Sequence, residues 1–140
     1  NVPDALPDKW IKAKLNQAIA EVTGSLDEYR FNDATAAIYN FIWHEYCDWY
    51  LEISKPALYG KISPERKQAT QRTMKQVFRT MLQLLHPFMP FVTEELWQAL
   101  QQMTVEGVNQ LPVLVDGQLA GMLTRDSLLT FIRDRSALET

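Results

Sequence analysis

The sequence is poor in the residues that define several classes of protein. Its 140 residues include a single cysteine, Cys47, which excludes a disulfide framework and leads us to expect a reducing compartment, the cytoplasm. Five glycines and seven prolines are too few for a collagen-like chain. No apolar run approaches the roughly 20 residues that cross a bilayer, and no secretory signal stands at the start, so we expect no membrane contact. Because the first residue is Asn1, we expect a piece of a longer protein.

The composition that remains is that of a folded domain. Hydrophobic residues make up 46% of the chain and charged residues 22%, and the net charge is only -3. Such a chain is not disordered, and its length suits one domain or one domain with a small appendage. A chain of this size buries roughly two-thirds of the surface that it exposes when unfolded, so a substantial core is expected.

Apolar residues at steps of three and four predict four helices in the first hundred residues. The second of these helices is apolar over a wide arc and should lie centrally. The third begins at Ser63-Pro64-Glu65 and runs to about Leu85. Each predicted helix follows a residue that can cap it: Asp8, then Asn32 or Asp33, then Ser63, then Thr93.

After about Met103 the pattern favours strands. The segment 108–115 has the composition of a strand, Asp116-Gly117 is a strong hairpin signal, and the return strand runs to Thr124. Pro112 favours an edge position or a bulge. A last helix is predicted from about Arg125 to Leu138. The predicted fold is therefore mainly α: an antiparallel bundle of four helices in residues 1–99, then a β-hairpin and a C-terminal helix in residues 100–140, which share the fourth helix.

Positive charge is concentrated in one segment. Residues 55–79 contain seven basic side chains and one acidic side chain, although the chain as a whole is acidic. Arg72, Lys75 and Arg79 are spaced so that one helical face can carry all three, and Lys61 and Lys67 extend the charge. This segment is a candidate contact for the phosphates of a polyanion. The alternative is an ordinary solvated helix face.

Several sequence runs resemble one family. They are LPDKWI at 6–11, YRFN at 29–32, CDWYLE at 47–52 with Lys55-Pro56 after it, and HPFMPFVTEELW at 86–97. Together they resemble the helical anticodon-binding domain of valyl-tRNA synthetases over about residues 3–99. The last run is shared by several class I synthetases, whereas CDWYLE followed by Lys-Pro points to the valine enzyme.

The resemblance implies a helical bundle that binds the anticodon stem-loop of a tRNA, with valine tRNA as the partner. It also implies that Arg30, Phe31, Asn32 and Lys55 lie near the loop. The alternatives are a helix-turn anchor for Phe31 and surface ion pairs for Arg30 and Lys55. The nucleotide-binding fold and the HIGH and KMSKS signatures of the family are absent from the sequence, so we expect no catalytic residue, no cofactor and no enzymatic activity in this chain.

Residues 100–135 instead resemble the second half of a cystathionine-beta-synthase-type (CBS) domain. The resemblance implies a weak adenosine-nucleotide site at Gly121, Thr124 and Ser127, where Ser127 replaces an aspartate common in that family. The alternative is that Gly121 and Thr124 serve only strand packing and capping. A crossing between two families suggests a natural fusion or an engineered or recombined chimera without retained activity. Because a lone hairpin is marginal in water, it should pack on the bundle or pair across a homodimer.

One polar cluster resembles a metal site in its spacing but lacks a full set of ligands. His44, Cys47 and Asp48 lie at i, i+3 and i+4, a spacing that could present ligands to zinc. A fourth ligand is missing, and cysteine is commonly just buried. We therefore predict no metal site.

Overall fold

In a computed structural model of the protein, residues 2–105, 110–115 and 118–124 are described, and they are mainly helical, as predicted. They form two compact units, with the division between Pro87 and Phe88. No helix among the described residues combines the length and the apolar character that a bilayer crossing requires.

The first unit consists of three helical rods. The first rod is α1 (Leu6–Asp27) and the third is α4 (Pro64–Leu85). Between them, α2 (Phe31–Asn40), a π-helical segment (Phe41–Tyr50) and α3 (Leu51–Leu58) follow one another without a break, since the backbone stays in the right-handed helical region at both junctions. We call residues 31–58 the central rod. The predicted second helix is thus a single rod, but its π-helical middle was not indicated by the apolar spacing.

Consecutive rods run in opposite directions. Lys14 of α1 pairs with Glu45 of the central rod at 2.8 Å. At the start of α4, a guanidinium nitrogen of Arg66 donates to the carbonyl of Pro3 at 2.8 Å, which places the beginnings of α1 and α4 side by side. The unit therefore has two ends. The α1–α2 turn lies at one end, and the α3–α4 turn lies at the other.

The core of this unit is lined by one apolar stripe from each rod. Its fully buried members are mostly aliphatic, with two tyrosines from the π-helical segment. Burial of this apolar surface supplies most of the favourable free energy of folding. The principal core residues are Ile11, Leu15, Val22, Ile38, Phe41, Tyr46, Tyr50, Val77, Met81 and Leu82.

One carboxylate is buried with this core. Asp8 is 1% exposed, and it accepts a hydrogen bond from the hydroxyl of Tyr50 at 2.7 Å and from the backbone N–H of Ala5 at 3.2 Å. Burial, and next the bond to Asp8, raise the pKa of Tyr50. The bond joins α1 to the central rod across 42 residues of sequence and fixes their relative position at the α3–α4 end.

The caps predicted for the first two helices are wrong. Helix α1 begins at Leu6 after Ala5, so Asp8 is the third residue of the helix. Helix α2 begins at Phe31 after Arg30, so the predicted caps Asn32 and Asp33 lie in its first turn. In α1, Pro7 in the first turn and the extended backbone of Ala5 favour the earlier start. The Ser63 cap is confirmed, because its hydroxyl accepts a hydrogen bond from the N–H of Arg66 at 3.2 Å.

The second unit contains α5 (Pro90–Val105), β1 (Gln110–Val115) and β2 (Gln118–Thr124). Thr93 does not precede α5 but lies within it, where its hydroxyl donates to the carbonyl of Met89 at 2.8 Å. The two strands pair antiparallel, with a register irregularity between Val113 and Leu114. The turn predicted at 116–117 and the helix predicted for 125–138 lie outside the described residues.

Candidate RNA-binding surface

Three basic side chains share the exposed face of α4. Arg72, Lys75 and Arg79 are all exposed. At 3.6 residues per turn they fall within about 60° of one another and span roughly 10 Å along the axis. The buried residues of α4, among them Val77 and Met81, lie on the opposite side. We call these three residues the basic face of α4.

The basic face extends the positive potential onto the beginning of the chain. The pKa of Asp4 is lowered chiefly by a hydrogen bond from Lys12, and Arg72 adds a smaller electrostatic contribution. Within the described part of the chain, Lys75 takes part in no ion pair. The face therefore presents positive charge at the surface of the unit.

Two further predicted lysines do not lie on this face. Lys67 is half-buried and points about 140° away from Arg72 around the axis of α4. Lys61 is exposed in the α3–α4 turn, before the helix begins. Lys67 is thus separated from Arg72 by the helical angle, and a contact of Lys61 or Lys67 with RNA stays a prediction.

At the α1–α2 turn, Arg30 is held by two acidic neighbours. Its guanidinium contacts Asp33 at 2.5 Å and Glu28 at 2.8 Å. Both hydrogen bonds raise the pKa of Arg30, and the bond to Asp33 contributes more than the bond to Glu28. Lys55 is likewise paired with Glu52, at 2.6 Å. The surface ion pairs considered as alternatives for both residues are therefore present.

Two aromatic rings flank Arg30 and are open to solvent. Tyr29 is 80% exposed and Phe31 is 55% exposed. Their ring centroids lie 6.5 Å apart, with 73° between the ring planes, an edge-to-face arrangement. We call them the Tyr29–Phe31 pair. Asn32 is exposed beside them. Tyr29 was missed as a candidate, although it opens the YRFN run that carries the resemblance.

A shallow groove adjoins this turn. Its volume is about 430 Å³, and it runs between α1 and α2. Most of its lining side chains are small, and the others are charged or amide groups. The lining residues are Ala20, Glu21, Gly24, Ser25, Arg30, Asp33, Ala36, Ala37 and Asn40.

The structure does not bring all of the predicted residues together. Arg30, Phe31 and Asn32 lie at the start of the central rod, whereas Lys55 lies near its end. Lys55 lies 23 positions after Asn32, which corresponds to roughly 35 Å at the α-helical rise. Lys55 and Lys61 therefore belong to the α3–α4 end, and the aromatic pair belongs to the other end.

A family model described as the anticodon-binding domain of tRNA ligase matches residues 8–120. The chain belongs to this family. Valine–tRNA ligases from three bacteria are similar to it. The protein from Oceanobacillus iheyensis is 47% identical over 96 residues, covering 69% of this chain and 11% of the relative. The protein from Carboxydothermus hydrogenoformans is 50% identical over 95 residues, covering 68% of this chain and 11% of the relative. The protein from Thermotoga maritima is 50% identical over 93 residues, covering 66% of this chain and 10% of the relative.

These similarities confirm that this anticodon-binding domain resembles that of valyl-tRNA synthetases. The chain spans about a tenth of the length of the valine–tRNA ligases that it matches. The family match also continues to residue 120, past the boundary predicted at residue 99. The fusion to a CBS unit and the homodimer stay predictions.

Two of the three residues predicted for a nucleotide site lie on β2 of this anticodon-binding domain. Gly121 and Thr124 are half-buried on β2, opposite Val113 and Gln110 of β1, and Ser127 lies outside the described residues. The nucleotide site there stays a prediction.

In the π-helical segment, Nδ1 of His44 lies 3.3 Å from a carboxylate oxygen of Asp48. Among the described residues, no three histidine, cysteine, aspartate or glutamate side chains are grouped to hold a metal ion.

Proposed function

We propose that this domain binds the anticodon stem-loop of a tRNA, with valine tRNA as its preferred partner, as a non-catalytic part of a ligase. The observation that carries the proposal is the family match over residues 8–120, which includes both the basic face of α4 and the Tyr29–Phe31 pair. The relatives named valine–tRNA ligase support the choice of tRNA.

The basic face of α4 suits the phosphates of the stem. Positive side chains contact phosphates without reading sequence, and such contacts fix where a protein sits on a nucleic acid. Three cations on one exposed face, spread over roughly 10 Å, can follow one strand of an RNA helix. Because the chain carries a net charge of -3, binding must depend on this local concentration of positive charge.

The α1–α2 turn suits the bases of the loop. RNA loops are recognised when unstacked bases lie against aromatic or guanidinium planes. The Tyr29–Phe31 pair offers such planes, since both rings are more than half exposed. The carboxylates of Glu28 and Asp33 beside Arg30 make this turn unfavourable for phosphates. The two parts of the surface are therefore suited to different parts of the RNA.

The first test is a binding titration against a hairpin RNA with the anticodon stem and loop of valine tRNA, at several salt concentrations. The test variant is Arg72→Gln with Lys75→Gln and Arg79→Gln. Loss of three phosphate contacts should lower the slope of log affinity against log salt by about 2 to 3. The control removes the same charge from α1: Lys9→Gln, Lys12→Gln and Lys14→Gln. It should leave the slope within about one unit of the original value.

The outcomes separate function from charge alone. Undetectable binding of the hairpin at low salt would show that the domain is not an RNA-binding module. An equal loss of slope in both triple variants would show that only net charge matters and that the basic face is no site. Competition by the stem-loop of another tRNA tests the preference for valine, and equal competition would contradict it.

A further inference from the structure

The backbone of Tyr29 adopts a conformation that tyrosine rarely adopts. Its φ is +57°, in the left-handed region, and among the described residues no other non-glycine residue has a positive φ. A side chain with a Cβ is disfavoured there by contact with the following carbonyl, so glycine normally takes the position. Tyr29 therefore occupies a place that local stability would assign to glycine.

The other end of the same unit shows the expected choice. Helix α3 ends at Leu58, and Gly60 in the turn after it lies in the left-handed region, at φ +74°. At both helix ends the same two backbone hydrogen bonds close the turn. Arg30 N donates to Ser25 O and Tyr29 N to Leu26 O at one end, while Lys61 N donates to Pro56 O and Gly60 N to Ala57 O at the other. The turn geometry alone thus gives no reason for a tyrosine.

Packing gives no reason either. The side chain of Tyr29 is 80% exposed, so little apolar surface is buried to offset the strained backbone. Its described aromatic contact is the edge-to-face contact with Phe31, which leaves the broad face of a ring open. A strained residue whose side chain points into solvent is typical of a binding position.

We propose that Tyr29 is a base-stacking residue, held by its left-handed backbone so that an unpaired base of the RNA loop lies against its ring. This inference rests on the proposed function. The ligand is a base rather than a phosphate, because the carboxylates of Glu28 and Asp33 lie beside the turn. The groove of about 430 Å³ next to Arg30 gives the neighbouring part of the loop a place to lie.

The decisive variant is Tyr29→Gly, which removes the ring and fits the backbone. It should fold at least as well as the original protein, so a loss of binding has no folding explanation. Its affinity for the valine hairpin should fall about 5- to 150-fold, the effect expected when one stacked base loses its aromatic partner. Tyr29→Phe keeps the ring and should bind within about twofold of the original, because a base stacks on the ring and not on the hydroxyl.

A matched control uses the exposed tyrosine at the other turn. Tyr59 is 70% exposed and follows the last residue of α3, one residue before Gly60. Tyr59→Ala should leave hairpin affinity unchanged. A second RNA, a blunt duplex of the same stem without a loop, should bind Tyr29→Gly and the original protein equally weakly, since only the loop offers unpaired bases.

Each outcome decides between the two proposals. If the original protein binds the hairpin no better than the duplex, the proposed function fails. If it prefers the hairpin and Tyr29→Gly binds equally well, the stacking role of Tyr29 is overturned and the proposed function stands. If Tyr59→Ala alone weakens hairpin binding, the loop lies at the α3–α4 end, which also overturns the stacking role.

Discussion

The two turns of the first unit have nearly the same backbone and different residues. Each closes a helix with a left-handed residue, Tyr29 at +57° in one turn and Gly60 at +74° in the other. A Cβ added at Gly60 would meet no atom within 4 Å. Glycine is therefore favoured there by the positive φ alone and not by lack of space. The comparison shows that the α3–α4 turn follows local stability and that the α1–α2 turn departs from it.

The surroundings of the two turns differ in the same sense. At the α3–α4 end, buried Asp8 binds Tyr50, and Arg66 binds the backbone of Pro3, so polar groups tie the rods together. At the α1–α2 end, the ion pairs of Arg30 and the Tyr29–Phe31 pair are exposed. One end therefore stabilises the unit, and the other presents polar and aromatic side chains to solvent.

The largest expected effect tests the stabilising end. Tyr50→Phe removes the hydroxyl that donates to Asp8 and leaves a buried carboxylate short of a donor. The free energy of unfolding, measured by urea denaturation, should fall by about 1.5–3 kcal/mol, the range for hydrogen bonds to charged groups. Tyr59→Phe is the control, because its ring is exposed, and it should change stability by less than about 0.5 kcal/mol. Equal stability of Tyr50→Phe and the original would show that the bond does not support this end.

The next effect compares the turns directly. Gly60→Ala should lower the free energy of unfolding by about 1–2 kcal/mol, because a Cβ is disfavoured at a positive φ. Tyr29→Gly relieves the same strain, but glycine loses more conformational entropy on folding, which costs about 0.5–1 kcal/mol. The free energy of unfolding should therefore rise by less than about 1 kcal/mol. Calorimetric unfolding of both variants checks this. A Tyr29→Gly variant less stable than the original would mean that the ring supports folding.

A smaller effect concerns the carboxylates that hold Arg30. Glu28→Gln with Asp33→Asn releases the guanidinium and removes repulsion of phosphates. Both pairs are about half exposed or more, so stability should change by less than about 1 kcal/mol. Hairpin affinity should rise, and the salt slope should steepen by about one phosphate contact. Tighter binding with an unchanged slope would mean that Arg30 contacts a base instead of a phosphate.

The sequence predicted the helical architecture well because apolar periodicity reports burial. The three rods and the Ser63 cap of α4 followed from local signals. The π-helical segment did not, since its apolar residues are compatible with an ordinary helix. The predicted caps of α1 and α2 lie two or three residues after the observed ones, Ala5 and Arg30. In α1, Asp8 is instead buried against Tyr50 and serves tertiary packing.

The candidate site was predictable only in part. The spacing of Arg72, Lys75 and Arg79 predicted a shared face, because a helix converts sequence distance into angle directly. The separation of Arg30 from Lys55 depends on the length of the central rod, which the resemblance of short runs did not convey. The conformation of Tyr29 has no composition signal at all, since the residue normally placed there is glycine.

The smallest effect lies where the basic face meets the beginning of the chain. The hydrogen bond from Lys12 lowers the pKa of Asp4 below its ordinary value, so the stability from this pair is present above that value and is lost as the pH falls through the folded-state pKa. In Lys12→Gln, the pKa of Asp4, followed by NMR, should rise back toward that value.

In Arg72→Gln the pKa of Asp4 should rise less, because Arg72 acts on Asp4 only through space. An equal rise in both variants would place the guanidinium of Arg72 in direct contact with Asp4. Arg72 would then stabilise the α3–α4 end through Asp4, and only Lys75 and Arg79 of the basic face would be left to contact RNA.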